Sequence, residues 1–338
     1  LVAFALFPLT ACSSSYSKTD YIRADNNDVL FDVVGKKDSF GIDPYKIPSN
    51  IENITFKGDK NVKFYNFHID SEERETPLNI VFENFSFRSD SDVAIDLGNI
   101  GGHVTINFKG TVSIEGSKGK TSSKETNYDV DTGYSTTKNG ANGINGTDGG
   151  IAIKGKKISL FVNDSSEVEI KGGNGANGSN GSSGGGIDGE GRSQAGRGGD
   201  GGSGGLGGDA ISVLDQISLK NNGTLAIIAG NGGNGGNGGN GGNYTSEIFT
   251  SVADNGGDGG NGGHGGDGGK VFSDSNKVNF VSGNFTLTEG NSGSGGNGGN
   301  GGKTETSNLH LTESTDPTPG NGGNGGNSGN TYINQFSE

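Results

Sequence analysis

Gly230-Asn-Gly-Gly-Asn-Gly-Gly-Asn-Gly-Gly-Asn-Gly-Gly-Asn243 keeps a non-glycine residue at every third position: Asn231, Asn234, Asn237, Asn240 and Asn243. The same register returns at Asn255, Asp258, Asn261, His264 and Asp267. A flexible Gly/Asn linker has this composition, but nothing in a random coil maintains a period. A left-handed extended helix with three residues per turn does. One column of side chains then faces outward and the two glycine columns face neighbours. Collagen applies the same steric logic where only glycine fits a crowded contact. Such helices have no internal hydrogen bonds, so neighbouring backbones must satisfy one another.

The runs come in pairs. Outbound 172–186 is matched by inbound 196–208, 230–243 by 255–269, and 290–302 by 320–330; inbound 139–150 has a poorer outbound side. Matched lengths are expected of arms that leave and re-enter one corner of a scaffold. An arm of about 14 residues reaches roughly 40 Å at about 3.1 Å per residue. Scaffold tiers about 4.8 Å apart leave little room between successive arms, which bare glycine faces allow.

The scaffold is legible between the runs. Val93-Ala94-Ile95, Ile151-Ala152-Ile153, Asp209-Ala210-Ile211 and Lys270-Val271-Phe272 share one position in a repeating block. Each is followed by a second short segment (Val104-Thr105-Ile106, Ile158-Ser159-Leu160, Ile217-Ser218-Leu219, Val278-Asn279-Phe280). A third comes next (Val112, Val168, Leu225 and Phe285 each open one). The period of two and the β-branched content read as strands, three in roughly 20 residues, about one coil of a parallel β-solenoid. Runs from Ile51 to Phe87 read as further coils without insertions. The expected fold is therefore all-β: a parallel β-solenoid-like stack with inserted polyglycine II helical arms forming a side bundle. Its expected divisions are a signal segment (1–12), a tether and N-terminal cap (13–50), coils without long insertions (51–115) and coils with paired arms (116–338).

Composition agrees with a thin repeat core. The 338 residues include 70 glycines, no Trp or Met and only 28% apolar types. A formal charge of −14 argues against nucleic acid as a partner and against anionic lipid headgroups. No stretch approaches the roughly 20 apolar residues of a membrane-spanning helix. The single cysteine, Cys12, follows the apolar run Leu-Val-Ala-Phe-Ala-Leu-Phe-Pro-Leu and Thr10-Ala11, and precedes Ser13, Ser14 and Ser15. An apolar run ending in small residues reads as the tail of a secretory signal. Leu9-Thr10-Ala11-Cys12 resembles the bacterial lipobox. That resemblance implies a diacylated Cys12 and a lipid anchor to the membrane, and Ser13 after it implies an outer-membrane or surface destination.

Enzymatic chemistry is hard to build from these residues. His68, His103, His264 and His310 are scattered, without metal-ligand or nucleophile spacing. Residues 262–270 partly match a calcium-binding nonapeptide, but Gly269 stands where an apolar residue belongs and no tandem copy follows. None of the many G-x-G-x-x-G matches opens a helix after a strand. No catalytic residue, metal or cofactor is assigned, and Asp200, Asp258 and Asp267 read as solubilising the arms. The turns between paired runs are different. Tyr128 and Tyr134 lie in one, Tyr244, Ile248 and Phe249 in another, and Leu309 and Leu311 in a third. Apolar and aromatic residues at the ends of a rigid scaffold are where binding resides, although tips packed on one another would look the same.

The glycine runs, under a third of the chain, resemble the polyglycine II bundles of snow flea antifreeze proteins and the glycine-rich sandwich of certain T-even phage tail adhesins. In those adhesins variable tip loops contact the host receptor, which implies a glycan or protein receptor for the tips here. The expected function is non-catalytic adhesion or recognition at the cell surface. A structural envelope or matrix protein that self-associates is the alternative, with ice binding a minor one.

Overall fold

The alternating segments form three rows of parallel strands. A computed structural model describes residues 22–25, 27–35, 44–121, 138–188, 195–246 and 256–306. Among them there is no α-helix, and the protein is all-β. Row one stacks Asp28–Asp32, Asn53–Lys57, Leu78–Glu83, Val104–Lys109, the second halves of Ile151–Val162 and Ile211–Asn221, and Val278–Ser282. Row two stacks Lys63–Tyr65, Ser86–Arg88, Thr111–Glu115, Glu167–Lys171, Thr224–Ile228 and Phe285–Thr288. Row three stacks Tyr45–Ile47, Ile69–Ser71, Val93–Leu97 and the first halves of the two long strands, with Phe272 bridged to Ile211.

The chain runs from row one to row two to row three and then begins the next tier. Register partners stand 26 residues apart at Phe56↔Phe82 and at Phe82↔Phe108, but 54 apart at Ile106↔Leu160. The excess is inserted between row two and row three. Glu167–Lys171 leads into the run at 172, and the run ending at 208 leads into Ile211–Asn221.

Alternation of buried and outward residues along each strand supplies the core, as in Leu78–Glu83, where Leu78, Ile80 and Phe82 point inward. Parallel register puts like residues over one another about 4.8 Å apart. Phe31, Phe56, Phe82 and Phe108 therefore form a ladder with centroid separations of 5.3, 5.1 and 5.9 Å. The last two pairs lie nearly parallel, at 15° and 16°, the offset-stacked arrangement that ring quadrupoles favour. Val162 takes the next place on the ladder. From there Leu160, Ile170, Leu219 and Ile227 carry the core on as aliphatic columns, all buried.

Corners between rows one and two use left-handed backbone at Asn84 (φ 50°) and at Gly110 (φ 71°) in the next tier. The Asn84 Oδ1 accepts the Thr111 amide at 3.0 Å, in the space a Cβ on Gly110 would occupy. Ile22–Asp25 pairs antiparallel with Asp28–Asp32 and covers the first edge of row one, where an open edge would invite pairing with another chain. At the opposite end Phe280 and Val281 are 36% and 56% exposed.

The glycine runs form their own hydrogen-bonded array. Outbound runs 172–186, 230–243 and 290–302 lie side by side and parallel, as Gly175 N–H donates to Asn231 O and Gly232 N–H to Asn291 O. Inbound runs 139–150, 196–208 and 256–269 make a second layer, as Gly143 N–H donates to Asp200 O and Gly201 N–H to Asn261 O. Antiparallel bonds such as Gly233 N–H to Gly205 O and Gly263 N–H to Gly236 O join the layers.

Candidate functional site

Whatever the tips do, the triplets position them, and one triplet shows how. Gly232 donates to the next outbound run (Asn291 O, 2.8 Å) and Gly233 to the facing inbound run (Gly205 O, 2.8 Å). The Asn234 amide points along the outer surface, where no backbone carbonyl is available. It donates to the side-chain Oδ1 of Asn177 in the preceding run, at 2.8 Å. All three amides of the triplet are satisfied, as buried or semi-buried backbone requires.

The outward residue is therefore an acceptor for the neighbouring tier, not only a solvated side chain. Asn231, Asn234, Asn237, Asn240 and Asn243 accept the amides of Asn291, Ser294, Asn297, Asn300 and Lys303 at 2.9 Å each. Inbound runs do the same: Asn142 accepts the Asp200 amide and Asp148 the Leu206 amide. Asp200 departs from the solubilising role read from the sequence, because its Oδ1 accepts the Asn261 amide and pairs with Arg197 at 2.7 Å. A short side chain ending in an acceptor oxygen is what the position needs. The recurrence of Asn rather than any polar residue was the signal in the sequence.

The two glycine columns cannot carry a side chain. A Cβ on Gly232 would fall 2.1 Å from Gly266 O, and one on Gly233 would fall 1.9 Å from Ala176 O. At the edge of the array the rule relaxes. Beyond Lys120 the inbound run 139–150 has no described outbound neighbour, and serine hydroxyls stand in for its carbonyls. Ser182 Oγ accepts the Ala141 amide and Ser179 Oγ the Ile144 amide, both at 2.7 Å. Nearer the body, Thr147 and Gly150 donate instead to the carbonyls of Lys120 and Ser117.

The outbound runs end together. Ile187–Asp188, Tyr244–Ser246 and Thr304–Thr306 form a three-stranded parallel sheet with Ile187, Tyr244 and Thr304 in register. The Ile187 amide donates to Asn243 O and the Tyr244 amide to Lys303 O, so the sheet continues the ladder of the runs. Tyr244 is only 1% exposed. Its side chain is buried at the tip sheet, where an exposed contact residue was expected. Tyr128, Tyr134, Ile248, Phe249, Leu309 and Leu311 lie outside the described residues, as does Cys12.

Elsewhere the polar groups serve the scaffold. The buried Arg74 guanidinium donates to the carbonyls of Ile51, Thr76 and Pro77, and burial pulls its pKa down despite the nearby Glu52. Lys63 spans two tiers to Glu115 at 2.9 Å and Ser113 at 3.3 Å. His68 sits between Asp70 and Asp90 at 3.8 and 3.3 Å on the surface. Among the described residues no group of three or more His, Cys, Asp or Glu side chains could hold a metal ion, and no helix is long and apolar enough to cross a membrane.

No family model matches the chain, and no curated protein does. Among solved structures, the nine-helix polyproline type II bundle antifreeze protein of the springtail Granisotoma rainieri is similar at 22% identity. That likeness covers 58% of this chain and 96% of the other at a TM-score of 0.09, too slight to carry an argument.

Proposed function

We propose that this chain is a lipid-anchored, non-catalytic recognition protein of the bacterial cell surface. On this reading a β-solenoid body carries polyglycine II arms whose tips hold the contact residues. The body is a solenoid on the strength of its row order, which repeats with in-register parallel partners through successive tiers. The arms are polyglycine II helices on the strength of their three-residue hydrogen-bond period and their lack of bonds within a run. Cys12 carries the lipid on the strength of the lipobox resemblance.

The observation that favours recognition is the tip sheet. Three outbound runs deliver Ile187, Tyr244 and Thr304 in register at strand spacing, and in sequence two of them lead on to the candidate contact residues Ile248, Phe249, Leu309 and Leu311. A layered scaffold that ends several runs at one small sheet suits binding a glycan or protein receptor better than catalysis. With Tyr244 committed to packing, the contact role passes to the tip segments themselves. Ile248→Ser with Phe249→Ser should abolish adherence of cells displaying the protein while leaving its circular dichroism unchanged. Undiminished adherence would remove the tips from the function. Cys12→Ala should end incorporation of labelled palmitate, and continued labelling would refute the anchor.

A structural matrix role draws on one observation, the apolar end of the body at Phe280 and Val281. Concentration-dependent sedimentation that Val281→Asp suppresses would favour it over recognition.

A further inference from the structure

The strand body carries a notch on the corner between rows three and one, away from the corner that launches the arms. Its origin is a change in corner length. Leu97 pairs with Gly155 and Val104 with Ile158, so residues 98–103 in one tier are matched by only 156–157 in the next. One tier further, Val213 and Ile217 enclose residues 214–216, with a register shift between Gly155 and Lys157. The corner recedes for two tiers and leaves a cavity of about 400 Å³. That is within the size range of small-ligand sites, roughly 300–1,000 Å³.

The walls differ chemically. Asp96 and Lys154 line one side and pair at 3.3 Å. Lys156 also lines the notch and takes part in none of the ion pairs among the described residues. Ser212 and Ser273 add hydroxyls; the Ser273 oxygen accepts the Val213 amide at 3.2 Å and keeps its own proton to donate. Leu214 provides an apolar wall and is 61% exposed.

We propose that this notch binds one acidic sugar unit, a saccharide bearing a carboxylate or a sulfate. Lys156 takes the anion as a charge-assisted partner. Asp96 accepts from the ring hydroxyls, the two serine hydroxyls donate to or accept from them, and Leu214 packs against the C–H face. The lining holds two lysines against one aspartate, a local positive excess on a chain of formal charge −14. That contrast selects an anionic ligand over a neutral one. The site is separate from the arm tips, and its variants leave the tip residues untouched.

The test is calorimetric titration of the purified chain with an oligogalacturonate, a sulfated oligosaccharide of equal length and the neutral oligogalactose. Binding of either acidic ligand, with neutral sugar at least tenfold weaker, is the expected result. The arm that binds identifies the anion. Lys156→Glu should abolish the binding, and Leu214→Ser should weaken it roughly tenfold. Unchanged urea midpoints in both variants exclude unfolding. Cell adherence of Lys156→Glu should equal that of the parent, which separates this site from the tips. No binding by either acidic ligand, equal binding of the neutral one, or full binding by Lys156→Glu would overturn the proposal.

Discussion

In the strand body, Phe56, Phe82 and Phe108 hold successive tiers together by filling the space between them. In the glycine array, Gly233, Gly236 and Gly239 hold tiers together by leaving none. Where the glycine runs are inserted, strand partners and outbound-run partners both stack in parallel with similar offsets, 54 residues at Ile106↔Leu160 and 56 at Gly175 and Asn231, because the second region is inserted into the first. The body gains from buried apolar area and aromatic contact. The array has almost no apolar side chains to bury and relies on complete backbone pairing at van der Waals distance. Glycine is a poor residue for order when alone, since it loses the most conformational entropy on folding. Here the body supplies the alignment of the arms, and side-chain acceptors on the outer column complete the pairing.

The contrast can be broken from either side, and the largest effect should come from the body. Phe82→Ala removes the middle of the aromatic ladder and should cost about 3–5 kcal/mol by urea denaturation. Amide protection of the glycine runs should fall with it, because the arms depend on tier alignment. Next comes Gly236→Ala, whose Cβ would sit 2.0 Å from Ser179 O. Overpacking of this kind costs about 1–3 kcal/mol, and the loss of protection should stay within the glycine array while the body keeps its strand signal. Alanine at the outward position is smaller still. Asn237→Ala leaves the Asn297 amide without its acceptor and should cost about 0.5–1.5 kcal/mol, with Asn237→Asp restoring most of it.

The smallest effect lies where the array joins the body. Burial raises the pKa of Asp209, with the Lys270 amide and ammonium pulling partly the other way. The folded state then holds this proton more tightly than the unfolded one. Its contribution to stability is greatest at acid pH and declines as pH rises from the ordinary carboxylate value through the raised one. The Lys270 amide donates to Asp209 Oδ1 at 2.8 Å; Asp209→Asn keeps an acceptor there and should flatten that part of the stability–pH curve relative to the parent.

Much of this was legible in sequence, for different reasons in the two regions. Period-two segments with β-branched residues identified the strands, and the repeating block placed Val93 with Ile151, and Val104 with Ile158, in the pairs that form. The period of three identified which residues of a run face neighbours. The reciprocal use of Asn side chains was not legible, because it depends on where a backbone amide points in the adjacent run. Nor was the burial of Tyr244, since an aromatic residue at a glycine-run terminus looks alike whether it is exposed or closes a sheet. The notch was not legible either, because it arises from corners of unequal length in consecutive tiers, and no local pattern records that difference.

Hydrogen exchange resolved to single glycines in the run 230–243 tests most directly whether the array is ordered. Slow exchange at Gly232, Gly233, Gly235, Gly236, Gly238 and Gly239, lost together when Phe82 is replaced, is the expected outcome. Exchange of those amides at unfolded-chain rates while the Phe ladder strands stay protected would show the runs to be linkers and contradict the array.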